Sequence, residues 1–114
     1  MKLTGKAKED FEAWYLKQEY CLASLESFEE EKITKHFKAM ALPFKYGVYV
    51  DWFDSVGIYV QVCIEDYEPL MWQYLVEMLG DDDIHDTDEG GFKTRPEART
   101  KAIECANNIY NENS

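Results

Sequence analysis

From Ala7 to Leu25 the apolar residues recur at three- and four-residue spacing. Ala7, Phe11, Trp14, Tyr15, Leu22 and Leu25 form the stripe, and Gln18 interrupts it. Lys6, Lys8, Glu9, Asp10, Glu12 and Lys17 fall on the other side, so the pattern predicts an amphipathic helix over about 4–23, capped by Thr4. A second helix is expected over about 27–40. Ser27 with Glu30 makes a capping box, acids fill the first turn, and Lys35, His36 and Lys38 lie toward the end, in the order that suits the helix dipole. Ile33, Phe37 and Met40 supply its apolar face, and Pro43 is expected to stop it and force an extended entry to the next segment.

Residues 46–64 change period. They are rich in β-branched and aromatic residues and alternate, which predicts a β-hairpin. Val48, Val50 and Trp52 would line one face of the first strand, and Ile58, Val60, Val62 and Ile64 one face of the second. Bringing both sets to the same face needs an odd loop, Asp54-Ser55-Val56, with Gly57 in a left-handed bulge. The other face then presents Tyr49, Asp51, Phe53, Tyr59, Gln61 and Cys63. It is either a binding surface or a surface covered by the N-terminal helix.

Residues 69–79 satisfy two patterns. Leu70, Met71, Tyr74, Leu75, Met78 and Leu79 fit a helix begun by Pro69, whereas Trp72, Tyr74, Val76 and Met78 alternate as a third strand would. A two-stranded hairpin is marginal alone, which favours the strand. Asp81–Gly91 is expected to be a polar loop. Thr94-Arg95-Pro96-Glu97 then opens the best-marked helix: Thr94 at the N-cap, proline in the first turn and Glu97 completing a capping box. Ala98, Ala102, Ile103, Ala106, Ile109 and Tyr110 give it a narrow face suited to close packing on a sheet, and Asn107, Asn108 and Asn111 are expected to fray its end. The expectation is a single α+β domain over 1–114. N-terminal helices are followed by an antiparallel hairpin or three-stranded meander, and a C-terminal helix packs on the sheet.

Composition adds to this picture. At 46% hydrophobic and 15% aromatic the chain is too apolar to be disordered. The formal net charge of -11 is unevenly placed. Between Lys45 and Lys93 there is no lysine or arginine, but there are twelve carboxylates. The stretch before balances, with eight lysines against eight acids, and the stretch after carries Lys93, Arg95, Arg99 and Lys101 against three acids. A one-signed region of this kind repels phosphate and attracts cations or basic protein surfaces. No membrane span or apolar signal core is visible, and the three cysteines, Cys21, Cys63 and Cys105, form no C-x-x-C pair. A cytoplasmic protein with free thiols is expected.

Three blocks are familiar as a set: LTGKAKEDF (Leu3–Phe11), YGVYVDWFDSVGI (Tyr46–Ile58) and FKTRPEAR (Phe92–Arg99), the last followed by Ala102-Ile103 and Asn108–Asn111. Together they cover about a third of the chain, and they resemble a group of small uncharacterised proteins of gut bacteria and their phages or mobile elements. That resemblance implies no activity. It implies an extended segment ahead of the last helix, which again favours the third strand. The helix–strand–strand–strand–helix order is also similar to a double-stranded-RNA-binding domain, in which Lys93, Arg95 and Arg99 would face phosphates. Here, however, Pro96-Glu97 interrupts the basic cluster, and the strand loop is short and acidic.

Asp86, Asp88 and Glu97 stand at positions one, three and twelve of a calcium-loop pattern, with Gly91 at six. Gly90 occupies position five, where a ligand belongs, and Glu97 also has a role in the capping box. Neither histidine, His36 or His85, sits in a Cys/His signature, and no phosphate-binding, dinucleotide or hydrolase motif occurs. The expectation is a non-enzymatic factor without a cofactor that binds a basic protein surface. Tyr49, Asp51, Phe53, Tyr59, Asp82, Asp83, Asp86 and Asp88 are the candidate contacts. Nucleic acid through the last helix and calcium through the acidic loop are the alternatives; no membrane partner is expected.

Overall fold

The computed structural model describes residues 1–18, 37, 39–79 and 84–113. They form α1 (Gly5–Tyr15), α2 (Leu42–Ser55), β1 (Ile58–Tyr67), β2 (Leu70–Leu79), β3 (Ile84–Phe92) and α3 (Arg95–Glu112). The fold is α+β. The strands make an antiparallel meander in the order β1-β2-β3, α3 packs across β1 and β2, and α1 rests on α2 and α3. Most of the helix expected over 27–40, all but residues 37, 39 and 40, and the far end of the one expected over 4–23 lie outside the described residues, as do Asp82 and Asp83. Among the described residues no helix is long and apolar enough to cross a membrane.

The main correction concerns residues 46–55. They are not the first strand of a hairpin but most of α2. Pro43, expected to end a helix, sits instead in the first turn of this one, where its missing N–H costs nothing and its fixed φ suits the helix. The residues that α2 buries are Tyr49, Trp52 and Phe53, at helical spacing. As a strand, the segment would have turned Tyr49 and Phe53 away from Trp52. As a helix, it brings all three aromatics into one core with Phe11 of α1 and with Phe37. Phe11 is the hub, its ring centroid 4.9 Å from Tyr49, 5.1 Å from Phe37 and 5.7 Å from Trp52. Burial on that scale outweighs the modest strand preference of valine and the aromatics.

Gly57 does have positive φ, at 83°, but it terminates α2 rather than bulging a hairpin. Its N–H donates to the Asp54 carbonyl at 3.2 Å, a left-handed helix stop that turns the chain directly into β1. Two glycine variants test the helix and its stop. Gly47 lies within α2 with open space around its Cα, so Gly47→Ala should stabilise by about 0.5–1 kcal/mol. Gly57→Ala should destabilise by about 1–2 kcal/mol, because alanine resists that φ. Urea titration of the two variants checks both signs.

The sheet follows the expected alternation from β1 onward. Ile58, Tyr74 and Val76 are buried under the helices, with Val60, Val62 and Met78 packed against them. Leu70–Leu79 is the third strand of the expected meander, though second in order, pairing with both neighbours. Most of the loop expected over 81–91 is strand instead: residues 84–92 form β3. Their polar composition is tolerated because an edge strand with open sides can keep its side chains in water.

α3 begins as expected, Thr94 Oγ1 accepting from the Glu97 N–H. Ala98, Ala102 and Ala106 are fully buried at four-residue spacing, which lets the helix lie close on the sheet. Its asparagines do not fray it. Asn107 is buried, and the helix runs on to Glu112.

Asn107 and Asn111 hold the start of α1. The Thr4 N–H donates to Asn107 Oδ1 at 2.8 Å, and Asn107 Nδ2 donates to Thr4 Oγ1 at 3.0 Å. The Ala7 N–H donates to Asn111 Oδ1 at 2.8 Å, and Asn111 Nδ2 donates to the Thr4 carbonyl at 2.9 Å. Thr4 is thus at the N-cap, as expected, but its hydroxyl does not cap its own helix. An asparagine from the other end of the chain satisfies the first-turn amide. Asp10 joins the same seam, pairing with Lys6 at 2.8 Å and accepting from Tyr110 Oη, contacts that hold its carboxyl below the usual carboxylate range.

Candidate functional site

Since the helices occupy one face of the sheet, the residues that alternate with Ile58, Tyr74 and Val76 form the other. The register sets them in rows. Tyr59 stands opposite Glu77 and Glu77 opposite Asp86; Gln61 stands opposite Leu75 and Leu75 opposite Asp88. Tyr59, Gln61, Asp86 and Asp88 are exposed, and no described helix covers them. Beside Tyr59, Val50 and Asp54 of α2 reach the β1 side of this face and, with Tyr59, Gln61, Leu75 and Glu77, line a shallow cavity of about 260 Å³.

The electrostatics of this face are one-signed. Asp54, Glu77, Asp86 and Asp88 have no cationic partner among the described residues; the ion pairs there, Lys6–Asp10 and Lys101–Glu104, lie on the helices. Partial burial raises the Asp54 carboxyl, and the charge of Asp51 raises it further. Asp86 directly across from Glu77 is a like-charged cross-strand pair, which works against the sheet. A lysine or arginine side chain lying on the face would reverse each of these effects. Its methylene stem has Tyr59, Leu75 and Val50 to lie on, and its head meets carboxylates.

Glu65 does something different. Its Oε2 accepts from the Gly91 N–H at 2.6 Å across the face, where β3 bulges between its pairings with Trp72 and Tyr74. The bond secures an amide that the bulge would otherwise leave unpaired.

Of the candidate contacts named from sequence, Tyr59, Asp86 and Asp88 share this face. Asp51 is exposed on α2. Tyr49 and Phe53 are corrected: both are core residues, 4% and 0% exposed, and are shut off from a partner. Sequence reasoning missed Glu77, Leu75 and Val50. Glu77 was legible as the one acid on an alternating strand, but its opposition to Asp86 requires the register.

The other chemistries look different in three dimensions. Asp86 and Asp88 lie two apart on an extended strand, and Glu97 lies in the first turn of α3, so the calcium-loop pattern is not a loop. Among the described residues no group of three or more His, Cys, Asp or Glu side chains is placed to hold a metal ion. The Arg95 guanidinium stacks over Trp72 at 4.3 Å and that of Arg99 over Tyr46 at 5.0 Å, while Lys93 is exposed. Burial pushes the Cys105 thiol up, opposite to the shift that activates a nucleophile. Cys63 Sγ accepts from Gln73 Nε2 at 3.4 Å. A larger cavity of about 690 Å³ opens between α1, α2 and Phe37, with core aromatics for its floor.

No protein-family model matches this chain, and neither a curated protein nor a solved structure is significantly similar to it.

Proposed function

We propose that this protein is a binding factor, cytoplasmic and without catalytic activity, whose open sheet face receives a basic surface of another protein. The observation that carries the reading is a set of carboxylates without a cationic partner among the described residues, Asp54, Glu77, Asp86 and Asp88, gathered around Tyr59 and Leu75 on the sheet face opposite the packed helices, with Asp54 contributed from its margin by α2. The apolar centre supplies contact area and the acid rim selects the partner's charge. Given the resemblance of its three sequence blocks to small proteins of gut bacteria and their phages, the protein is read as an accessory or regulatory product of such an element. A nucleic-acid role is disfavoured by the charge and by the stacking of Arg95 and Arg99 on the protein's own aromatics.

The test compares two variants of equal charge change. One carries Asp54→Asn, Glu77→Gln, Asp86→Asn and Asp88→Asn. The other neutralises Glu9, Glu97, Glu104 and Glu112 on the helices. Against poly-lysine and a panel of small basic proteins, the first should lose about tenfold or more in affinity and the second about threefold or less, with the gap widening as salt is lowered. Equal losses would reduce the effect to net charge and reject the face as a site. Mobility shift with duplex RNA and DNA at about 50 mM salt should show no micromolar binding. Tight binding abolished by Arg95→Ala with Arg99→Ala would move the site to α3.

A further inference from the structure

The two edges of the sheet are not equivalent. The β1 edge is flanked by α2, whose Val50 and Asp54 line a cavity with Tyr59. The β3 edge has no strand beside it among the described residues, and its ladder partner is β2 alone. Every second residue of β3 therefore turns its N–H and C=O outward, without a strand partner among the described residues. The bulge at Gly90 and Gly91 interrupts the far end, leaving residues 84–89 as the straight, open part. Resting on the reading of the face as a site for a basic protein, we propose that its partner docks by strand addition. An extended segment with Lys or Arg at alternate positions pairs with the free edge of β3.

The side chains along this edge define the occupant. Asp86 and Asp88 project to the open face, and Thr87 projects to the other. A strand laid beside them brings two of its alternate side chains next to the two carboxylates and the residue between them next to Thr87. The segment that fits is Lys/Arg, then Thr or Val, then Lys/Arg. A second copy of this chain is a poor occupant. Antiparallel pairing of two β3 strands about Thr87 would set Asp86 of each against Asp88 of the other, between molecules of formal charge -11. The carboxylates thus reject self-association and admit a cationic strand. Lysines, the usual guard of an open edge, would do the reverse.

The experiment uses the full chain and blocked eight-residue peptides alternating lysine with threonine or valine. Two N-methylated versions carry the methyl groups on one or the other set of alternate amides. A strand has two hydrogen-bonding sides and only one faces β3. One methylated peptide should therefore lose about tenfold or more in affinity while the other matches the parent. Amide exchange should slow along residues 84–89 when the parent binds. Asp86→Lys with Asp88→Lys should transfer preference to the peptide with glutamate in place of lysine. If all three lysine peptides bind equally and charge reversal still transfers preference, strand addition is overturned and the face reading stands on charge alone. If none of them binds at about 50 mM salt and β3 exchange is unmoved, both fall.

Discussion

Trp52→Ala is expected to cost about 3–5 kcal/mol, the range for deleting a large buried aromatic. Trp52 is 1% exposed and packs on rings from all three helices, its own included. Its ring centroid lies 4.8 Å from Phe53, 4.9 Å from Tyr110 and 5.7 Å from Phe11. Truncation leaves a cavity where α1, α2 and α3 meet, and helices whose mutual contacts run through rings cannot close it without moving as bodies. The companion substitution is Val50→Lys. In a hairpin Val50 would share the buried face with Trp52, and a lysine there would unfold the domain. In α2 it lies at the rim of the acidic cavity, so the change should stay within about 0.5 kcal/mol. Equilibrium urea unfolding of both variants decides. A Val50→Lys variant that fails to fold would overturn the helix.

Asn107→Ala should cost about 1–3 kcal/mol through one hydrogen-bonded pair, since it strands the Thr4 N–H and hydroxyl in a part-buried seam and leaves a void where the amide was. Asn111→Ala removes the acceptor for the Ala7 N–H and the donor to the Thr4 carbonyl, and should cost a similar amount. The two act on the same turn, so the double variant should fall short of the sum by a measurable coupling, because once α1 has detached there is less left to lose. Hydrogen exchange gives a local readout. The Ala7 amide should exchange faster in Asn111→Ala, with β2 amides unchanged. Uniform acceleration across the sheet would mean that the asparagines support global stability without acting as a clasp.

The three blocks that carry the sequence resemblance meet in this same layer. Phe11 comes from the first, Trp52 and Phe53 from the second, and Ala102, Ile103 and Tyr110 from or beside the third. They account for the helical packing, whereas the open face takes Glu77, Asp86 and Asp88 from outside them.

What the sequence by itself determined was what neighbours along the chain can decide. The start of α3 was legible because Thr94, Pro96 and Glu97 act within one turn. The face of α1 was legible because Ala7, Phe11 and Tyr15 repeat at helical spacing. The faces of β1 were legible because Ile58, Val60 and Val62 alternate without ambiguity. The helix at 42–55 was not, although Tyr49, Trp52 and Phe53 carried its period. Val48, Val50 and Trp52 satisfy a strand equally well, and the choice rests on which aromatics find Phe11 and Phe37 in space. Asn107 and Asn111 read as helix breakers because their partners lie more than a hundred residues away. Likewise the acids of 84–92 read as a loop, since a strand at a sheet's edge needs only one neighbour, and that neighbour is supplied by β2. The negative charge was in the sequence, but the tertiary structure decided where it stands. Pairing register put Asp86 and Asp88 on the same side as Glu77 and Tyr59, while the helices took the other.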